Sequence, residues 1–384
     1  MSERPYLIDV SRLIWRVWTG RLPTGIDRVC LAYLEHFGAR AQAVVQKCGF
    51  HLIVSPKHSD RLFTLLRTGG PEFKGKLLRM PPAMLLKHAA SGGCAGKIYL
   101  NIGHTGLNEP TLPYWVKRNR LKAVYLIHDL IPIANPEFCR EGEAEKHAQR
   151  MRNVLKSASG IIGNSQSTLD ELAAFAKANG LSMPARIAAW ISGYPIPETA
   201  PQAGMDRPYF VTVGTIEGRK NHILLLQLWR QLVLRLGSKA PRLIIVGQRG
   251  WEAEHALAML DRCDILRGHV REMARCDDDA LARLVKGARA VLMPSFAEGF
   301  GLPVVEALQL GTPVIASDLP VFREIAGDIP TYLSPIDGIG WEQAILGFLG
   351  DSPERQRQIA DMAGFTASGW PSHFAQVESW LKTL

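Results

Sequence analysis

The stretch RAVLMPSFAEGFGLPVVEALQLGTPVIASD, residues 289–318, holds one complete strand–loop–helix–strand unit. Residues 289–293 (RAVLM) and 313–316 (PVIA) are short, largely apolar runs without alternation, the pattern of strands buried on both faces. Pro294 ends the first run, and Pro303 suits the first turn of a helix over 303–310, where its missing N–H has no partner to lose. A strand, a crossover helix and a second strand make a parallel, doubly wound sheet.

The same alternation continues outward in both directions. Residues 209–213 (YFVTV) and 242–246 (RLIIV) read as further strands, with helices over 221–236 and 278–286. Toward the amino terminus, 6–10 (YLIDV), 97–102 (KIYLNI), 123–127 (AVYLI) and 160–163 (GIIG) read as strands, with helices over 26–37, 143–158 and 167–178. Between the two sets lies GYPIPETAPQAGMDRP (193–208), with four prolines and little apolar periodicity, which reads as a linker. The expectation is an α/β protein of two Rossmann-like, doubly wound domains, 1–200 and 201–371, with SHFAQVESWLKTL (372–384) as a terminal helix. Ligands in such sheets collect at the carboxyl ends of the strands, where loops feed helix N-termini.

The composition is that of an ordinary globular protein, 47% hydrophobic and 21% charged, which excludes disordered and fibrous classes. The six cysteines show no zinc spacing and read as reduced, mostly buried thiols of a cytosolic protein. MSERPYLIDV does not read as a secretory signal, and no run of 18 uncharged apolar residues reads as a membrane span. The formal charge of +9 divides unevenly. Residues 1–200 carry 26 Lys and Arg against 15 Asp and Glu, and residues 201–384 carry 19 against 21.

Four places carry candidate chemistry. In 295–318, Glu298 and Glu306 are separated by seven residues, with Gly299, Phe300 and Gly301 between them. The helix start offers unpaired N–H groups to an anion, and a glutamate in its first turn could hold the vicinal hydroxyls of a ribose. Glu298 could accept from the hydroxyls of a second sugar. Dipole complementation by Glu306 and a solvated Glu298 are the plainer alternatives. In 209–229, strand 209–213 runs into Gly214, a polar turn with Thr215, and then Arg219 and Lys220 before a helix, a pair suited to clamping a diphosphate. In 22–37, Gly25 precedes a helix start and permits close approach of a phosphate, or marks an ordinary tight turn. In 124–132, His128 and Asp129 follow a strand directly. Asp277, Asp278 and Asp279 match D-x-D formally but read as a helix cap.

Taken together these motifs resemble the GT-B-fold glycosyltransferases of family 4, which retain anomeric configuration, over residues 6–366. The resemblance implies two Rossmann-like domains facing each other across a cleft, with the acceptor on the first and the nucleotide-sugar on the second. The chain end would cross back to the first domain. By that likeness Glu298, Arg219, Lys220 and His128 would be the catalytic set: Glu298 on the transferred sugar, the two cations on the donor diphosphate, His128 near the reacting end. Glu306 would hold the ribose, and the backbone of Phe300, Gly301 and Leu302 would contact the donor. Gly25 matches the amino-terminal glycine loop. Gly268 and Val270, in LRGHVREM, match the loop that reads the base, and Asn164 and Ser165 a region at a strand end. Thr215 stands where members carry an additional Arg, so the clamp would lean on Arg219, Lys220 and helix amides.

The implied reaction uses no cofactor and no metal. TGIDRV, IHDLIP and TIEGRKNH look most like bacterial surface-polysaccharide enzymes, many of which use GDP-mannose, with UDP- or dTDP-sugars as alternatives. The expected acceptor is a glycan or a polyprenyl-diphosphate-linked oligosaccharide. The basic first half, with KGKLLRMPPAMLLKH (74–88), Trp15 and Trp18, suits an anionic membrane surface, and a cytoplasmic protein lying on the inner face of the membrane. Trp15, Trp18 and 74–88 would otherwise pack as core. A dehydrogenase would need G-x-G-x-x-G after a strand, and a nucleic-acid binder would need interleaved aromatics; neither is present, so nucleic acid is not an expected partner. A non-catalytic sugar-nucleotide binder of the same fold stays as an alternative, against which the intact Glu298, Glu306, Arg219 and Lys220 argue.

Overall fold

The computed structural model describes residues 4–20, 25–70, 72–79, 94–193 and 207–384. The chain forms two compact units. The first comprises Met1–Leu130, Ala144–Ser192 and Ser368–Leu384; the second comprises Ile131–Glu143 and Gly193–Ala367. Composition gave no sign that Ile131–Glu143 groups with the second unit, and the units divide at Ser192/Gly193 and Ala367/Ser368 rather than at 200 and 371. Most of the linker stretch, 194–206, lies outside the described residues.

The first unit holds a seven-stranded sheet in the order β3-β2-β1-β4-β5-β6-β7. Its strands are β1 Tyr6–Asp9, β2 Ala41–Lys47, β3 Phe50–Ile53, β4 Ile98–Asn101, β5 Lys122–Ile127, β6 Ala158–Gly163 and β7 Ala185–Ala188. Every pairing is parallel except the β2–β3 hairpin. The strand order reverses between β1 and β4. The helix Trp370–Leu381 packs in this unit: Tyr33 Oη lies 2.8 Å from His373 Nε2, and the His36 ring stacks on Phe374 at 4.0 Å.

The second unit holds a fully parallel six-stranded sheet in the order β10-β9-β8-β11-β12-β13. These are β8 Tyr209–Val213, β9 Arg242–Val246, β10 Val270–Met273, β11 Val291–Met293, β12 Val314–Ser317 and β13 Thr331–Leu333. The central strands are buried on both faces because helices cover both. Phe210, Leu243, Leu292 and Ile315 pack with Leu225, Leu226 and Trp229 of the helix His222–Leu236, and with Trp341 and Ile345 of Gly338–Leu349. The two buried indoles donate to backbone carbonyls, Trp229 to Pro241 and Trp341 to Ser334. Here the order reverses between β8 and β11, so the loops leaving these neighbours diverge and open a crevice at their carboxyl ends.

Asp277 caps the helix Asp278–Gly287, accepting from the Ala280 N–H at 2.7 Å, as its sequence position suggested. Of the six thiols only Cys30 and Cys94 are buried, fewer than expected; Cys48 is exposed and the rest are half-buried, because they fall in turns and loops. No helix among the described residues is long and apolar enough to cross a membrane.

Candidate active site

The loops after β8 and β11 meet at the reversal point of the second unit. After β8 the chain passes Gly214 at φ +143°, a conformation that favours glycine, and a Cβ there would lie 3.1 Å from Lys220 Cε. Arg219 and Lys220 occupy the single turn Gly218–Lys220, and Asn221, at φ +54°, opens the helix His222–Leu236. Asn221 stitches this loop to its neighbours: Nδ2 donates to the carbonyls of Pro294 (3.1 Å) and Pro335 (2.8 Å). The Phe296 N–H donates to the Arg219 carbonyl at 2.8 Å. The loop after β11 ends at Gly301, whose φ of +105° and 2.5 Å clearance to Phe322 leave no space for a side chain.

These contacts hold four charged side chains together. Glu298 Oε1 accepts from Lys220 Nζ at 2.5 Å and from Ser295 Oγ at 2.7 Å, and Oε2 accepts from Arg219 Nη1 at 2.8 Å. Arg219 Nη1 also donates to the Ala297 carbonyl, and its Nε pairs with Glu217 Oε1 at 2.7 Å. The Glu298 and Glu217 side chains are 6% and 4% exposed, and Lys220 and Arg219 are 10% and 23% exposed. Burial alone would raise the Glu298 pKa, but Lys220 and Arg219 outweigh it and bring the group down to about 2. Burial lowers Lys220, which has only one strong carboxylate partner and a like-charged neighbour in Arg219. Burial raises Glu217. With both carboxylates ionised the quartet is neutral, so an arriving anion meets fixed dipoles and positioned N–H donors rather than a net positive charge.

The depressed Glu298 pKa sets an acid limit on this arrangement. A carboxylate depressed on folding contributes stability above its ordinary value of 4.5 and loses it as pH falls to about 2. Chemical denaturation of wild type and Glu298→Gln between pH 7 and 2 is expected to show a difference that is constant down to about 4.5. Below that it shrinks by on the order of 3 kcal/mol. A pH-independent difference would contradict the ion-pair account.

The remaining expected donor residues divide. Phe300 is buried, Gly301 sits at the N-cap, Leu302 is the first residue of the helix Leu302–Gln309, and Thr215 lies in the turn after β8, all on the carboxyl side of the sheet. Glu306 is in the second turn of that helix rather than the first, because the helix starts at Leu302. It presses on Gly193, where a Cβ would lie 2.6 Å from its Oε1. Gly268 and Val270 do not join the set. Val270 opens β10 and pairs with Leu243 of β9, so Gly268 lies at the amino edge, the opposite end of the sheet from Glu298. The loop expected there came from the resemblance of LRGHVREM to the base-reading loop, and Arg271 and Glu272 conceal the edge strand in the sequence.

His128 and Gly25 belong to the first unit. His128 follows β5 and is 4% exposed; its Nε2 donates to the Ile102 carbonyl at 2.8 Å, leaving Nδ1 as an acceptor. Burial brings its pKa to about 4, so the ring is neutral at pH 7. Asn164 Nδ2 donates to the His128 carbonyl, and Ser165 caps the helix Gln166–Ala178. Gly25 is the exposed first residue of Gly25–Phe37, near the Arg12–Asp27 pair at 2.8 Å. Sequence reasoning missed His104 and His147, whose rings lie 5.0 Å from His128 and 5.9 Å from His104. His104 follows a strand end as His128 does, and the same signal could have found it; His147, inside a helix, gives none. Also missed were Glu217, Asn221 and Ser295. Trp15 is 62% exposed and Lys74 lies over Trp18 at 5.5 Å, while 80–88 of the basic segment lies outside the described residues.

Residues 198–359 match the family model described as glycosyl transferases group 1. The chain is similar to the serotype-specific mannosyltransferase WbdA of Escherichia coli, 30% identical over 232 residues that cover 55% of this chain and 28% of WbdA. It is also similar to the O-antigen chain mannosyltransferase B of Escherichia coli, 35% identical over 156 residues, covering 41% of this chain and 40% of that one. The chain thus spans less than half the length of these curated relatives. Among solved structures, HepE of Anabaena in complex with UDP and glucose aligns over 100% of both chains with TM-score 0.69 at 15% identity, which gives the fold as GT-B.

Proposed function

We propose, from the match of residues 198–359 to the group 1 glycosyl transferase model, that the chain is a retaining glycosyltransferase of bacterial surface-polysaccharide synthesis. It moves a hexose, mannose from GDP-mannose, onto a glycan or polyprenyl-diphosphate-linked acceptor. The single observation that carries this reading is the buried Glu217–Arg219–Lys220–Glu298 quartet at the strand-order reversal. The mannosyltransferase relatives support the choice of sugar.

In the proposed step the bond between the anomeric carbon and the diphosphate oxygen breaks. Negative charge then grows on the leaving diphosphate. Arg219 and Lys220 stabilise that charge from fixed positions, and the start of Leu302–Gln309 adds its amides. Glu298 holds both cations in place and accepts hydrogen bonds from the sugar. The acceptor hydroxyl attacks the oxocarbenium-like carbon on the face the diphosphate leaves, and its proton passes to the departing diphosphate oxygen, so configuration is retained. His128, neutral and with Nδ1 open as an acceptor, takes a sugar hydroxyl near the reacting end. Glu306 takes the ribose. The N–H donors of the two paired cations and of the helix start meet the leaving diphosphate, and in this proposal the reaction is metal-independent and cofactor-free. The basic first half, with exposed Trp15 and Lys74 over Trp18, supports a peripheral location on the anionic inner face of the cytoplasmic membrane.

A thermal-shift panel of GDP-mannose, UDP-glucose and dTDP-sugars, run in excess EDTA, tests the donor. GDP-mannose is expected to raise Tm by several degrees at saturation. A shift with UDP-sugars and none with GDP-mannose would overturn the donor choice, and a shift that vanishes in EDTA would overturn metal independence.

A further inference from the structure

Ile131–Glu143 belongs to the second unit, although the chain on either side of it belongs to the first. It is a strap built of the short helix Ile131–Ala134 and the turn Pro136–Phe138. One of its side chains is seated on the loops of the candidate active site, and a second on the loop after β9 that bonds to them. The Phe138 ring stacks on Phe296, with centroids 5.1 Å apart and planes 11° from parallel. The same ring closes over Gly218: a Cβ there would lie 3.4 Å from Phe138 Cδ1 and 2.7 Å from the Glu252 carbonyl oxygen. Arg140 lies over the Trp251 ring at 5.2 Å, and the Trp251 carbonyl accepts from the Gly218 N–H at 3.2 Å.

The positions touched are telling. Gly218 directly precedes Arg219 and Lys220, and Phe296 lies two residues before Glu298. Phe138 therefore bridges the loop that carries both cations and the loop that carries their carboxylate, without being part of the charged quartet. Stacked rings have a preferred separation and orientation, so this contact sets a distance as well as burying area. Loops are less precise supports than strands or helices, and a site made from two of them depends on what locks them.

We propose that the strap positions the diphosphate-binding loops, with Phe138 as a positioning residue that fixes the spacing between Gly218–Lys220 and Phe296–Glu298. This rests on the reading that those loops bind a nucleoside diphosphate. Packing that served stability alone would leave affinity untouched when the ring is removed; a positioning role would not.

The test is calorimetric titration of the full chain with GDP and with UDP, on wild type, Phe138→Ala and Phe138→Tyr, with melting curves alongside. Phe138→Ala is expected to weaken the preferred nucleotide by roughly tenfold to a hundredfold, the scale of a small misplacement in a site of this kind. Phe138→Tyr, which keeps the ring, is expected to bind within twofold of wild type. Binding by Phe138→Ala within twofold of wild type, or equal weakening by Phe138→Tyr, would overturn the strap's role while leaving the diphosphate site standing. If Phe138→Ala fails to fold, Phe138→Leu takes its place under the same criteria. Wild type that binds neither GDP nor UDP would sink the glycosyltransferase reading, and the strap proposal with it.

Discussion

Glu298→Ala is expected to lower transfer by about a thousandfold or more, because this one side chain orders both cations. Its two oxygens take Lys220 at 2.5 Å and Arg219 at 2.8 Å, and Ser295 fixes the carboxylate itself. Without it, Lys220 loses its direct carboxylate partner and Arg219 keeps only Glu217, leaving two cations beside one carboxylate in a nearly enclosed site. Truncating one partner of a buried ion pair commonly costs about 3–5 kcal/mol, so the variant is also expected to melt several degrees lower. Glu298→Gln separates the two effects, since it retains shape and a carbonyl acceptor but not the charge. Glu298→Gln is expected to recover only the part of the stability that packing supplies, remaining below wild type at pH 7 by on the order of the 3 kcal/mol that the ion pairs contribute, and to recover little of the rate. Rate measurements on both variants, with folding checked by circular dichroism, decide it; a near-normal rate in either would remove Glu298 from the reaction.

Lys220→Met is expected to lower the rate by about a hundredfold to a thousandfold, comparable to deleting one fixed donor to a developing anion. The methionine fills the space of the lysine stem, and Arg219 still neutralises Glu298, so the loss should fall on turnover more than on stability. Arg219→Lys is the sharper companion. Arg219 bonds in two directions at once, through Nε to Glu217 and through Nη1 to Glu298 and the Ala297 carbonyl. A single ammonium cannot reproduce that fork, so this conservative exchange should behave nearly as badly as Arg219→Ala. Full activity in Arg219→Lys would show that only the charge matters there.

How much of this could be read from the residues alone follows from where the physics is local. Most central strands were legible because burial on both faces demands unbroken apolar runs, as in YFVTV and RLIIV, but β2 Ala41–Lys47 was not, since buried Gln42 and Gln46 interrupt its run. The edge strands Phe50–Ile53, Ala185–Ala188 and Val270–Met273 were not, since one side faces water and admits His51, Arg186, Arg271 and Glu272. Gly268 and Val270 were expected to read the base only through the resemblance of LRGHVREM to the family's loop; with β10 in place they lie at the amino end of the sheet. Arg219, Lys220 and Glu298 were legible because glycines and charges beside strand ends form a local pattern. Asn221 was not: its role depends on the carbonyl of Pro335, 114 residues away. Phe138 was invisible for the same reason, as nothing in PEFCR announces a partner at Phe296.

The central claim is that the Arg219–Lys220–Glu298 loops bind the diphosphate of a sugar nucleotide. Calorimetric titration of GDP and UDP into wild type and Lys220→Met tests it most directly, since it needs neither an acceptor nor a chosen sugar. Wild type is expected to bind at least one of them with a micromolar Kd, and Lys220→Met, equally well folded, to lose most of that affinity. Equal binding by the two proteins, or none by wild type, would contradict it.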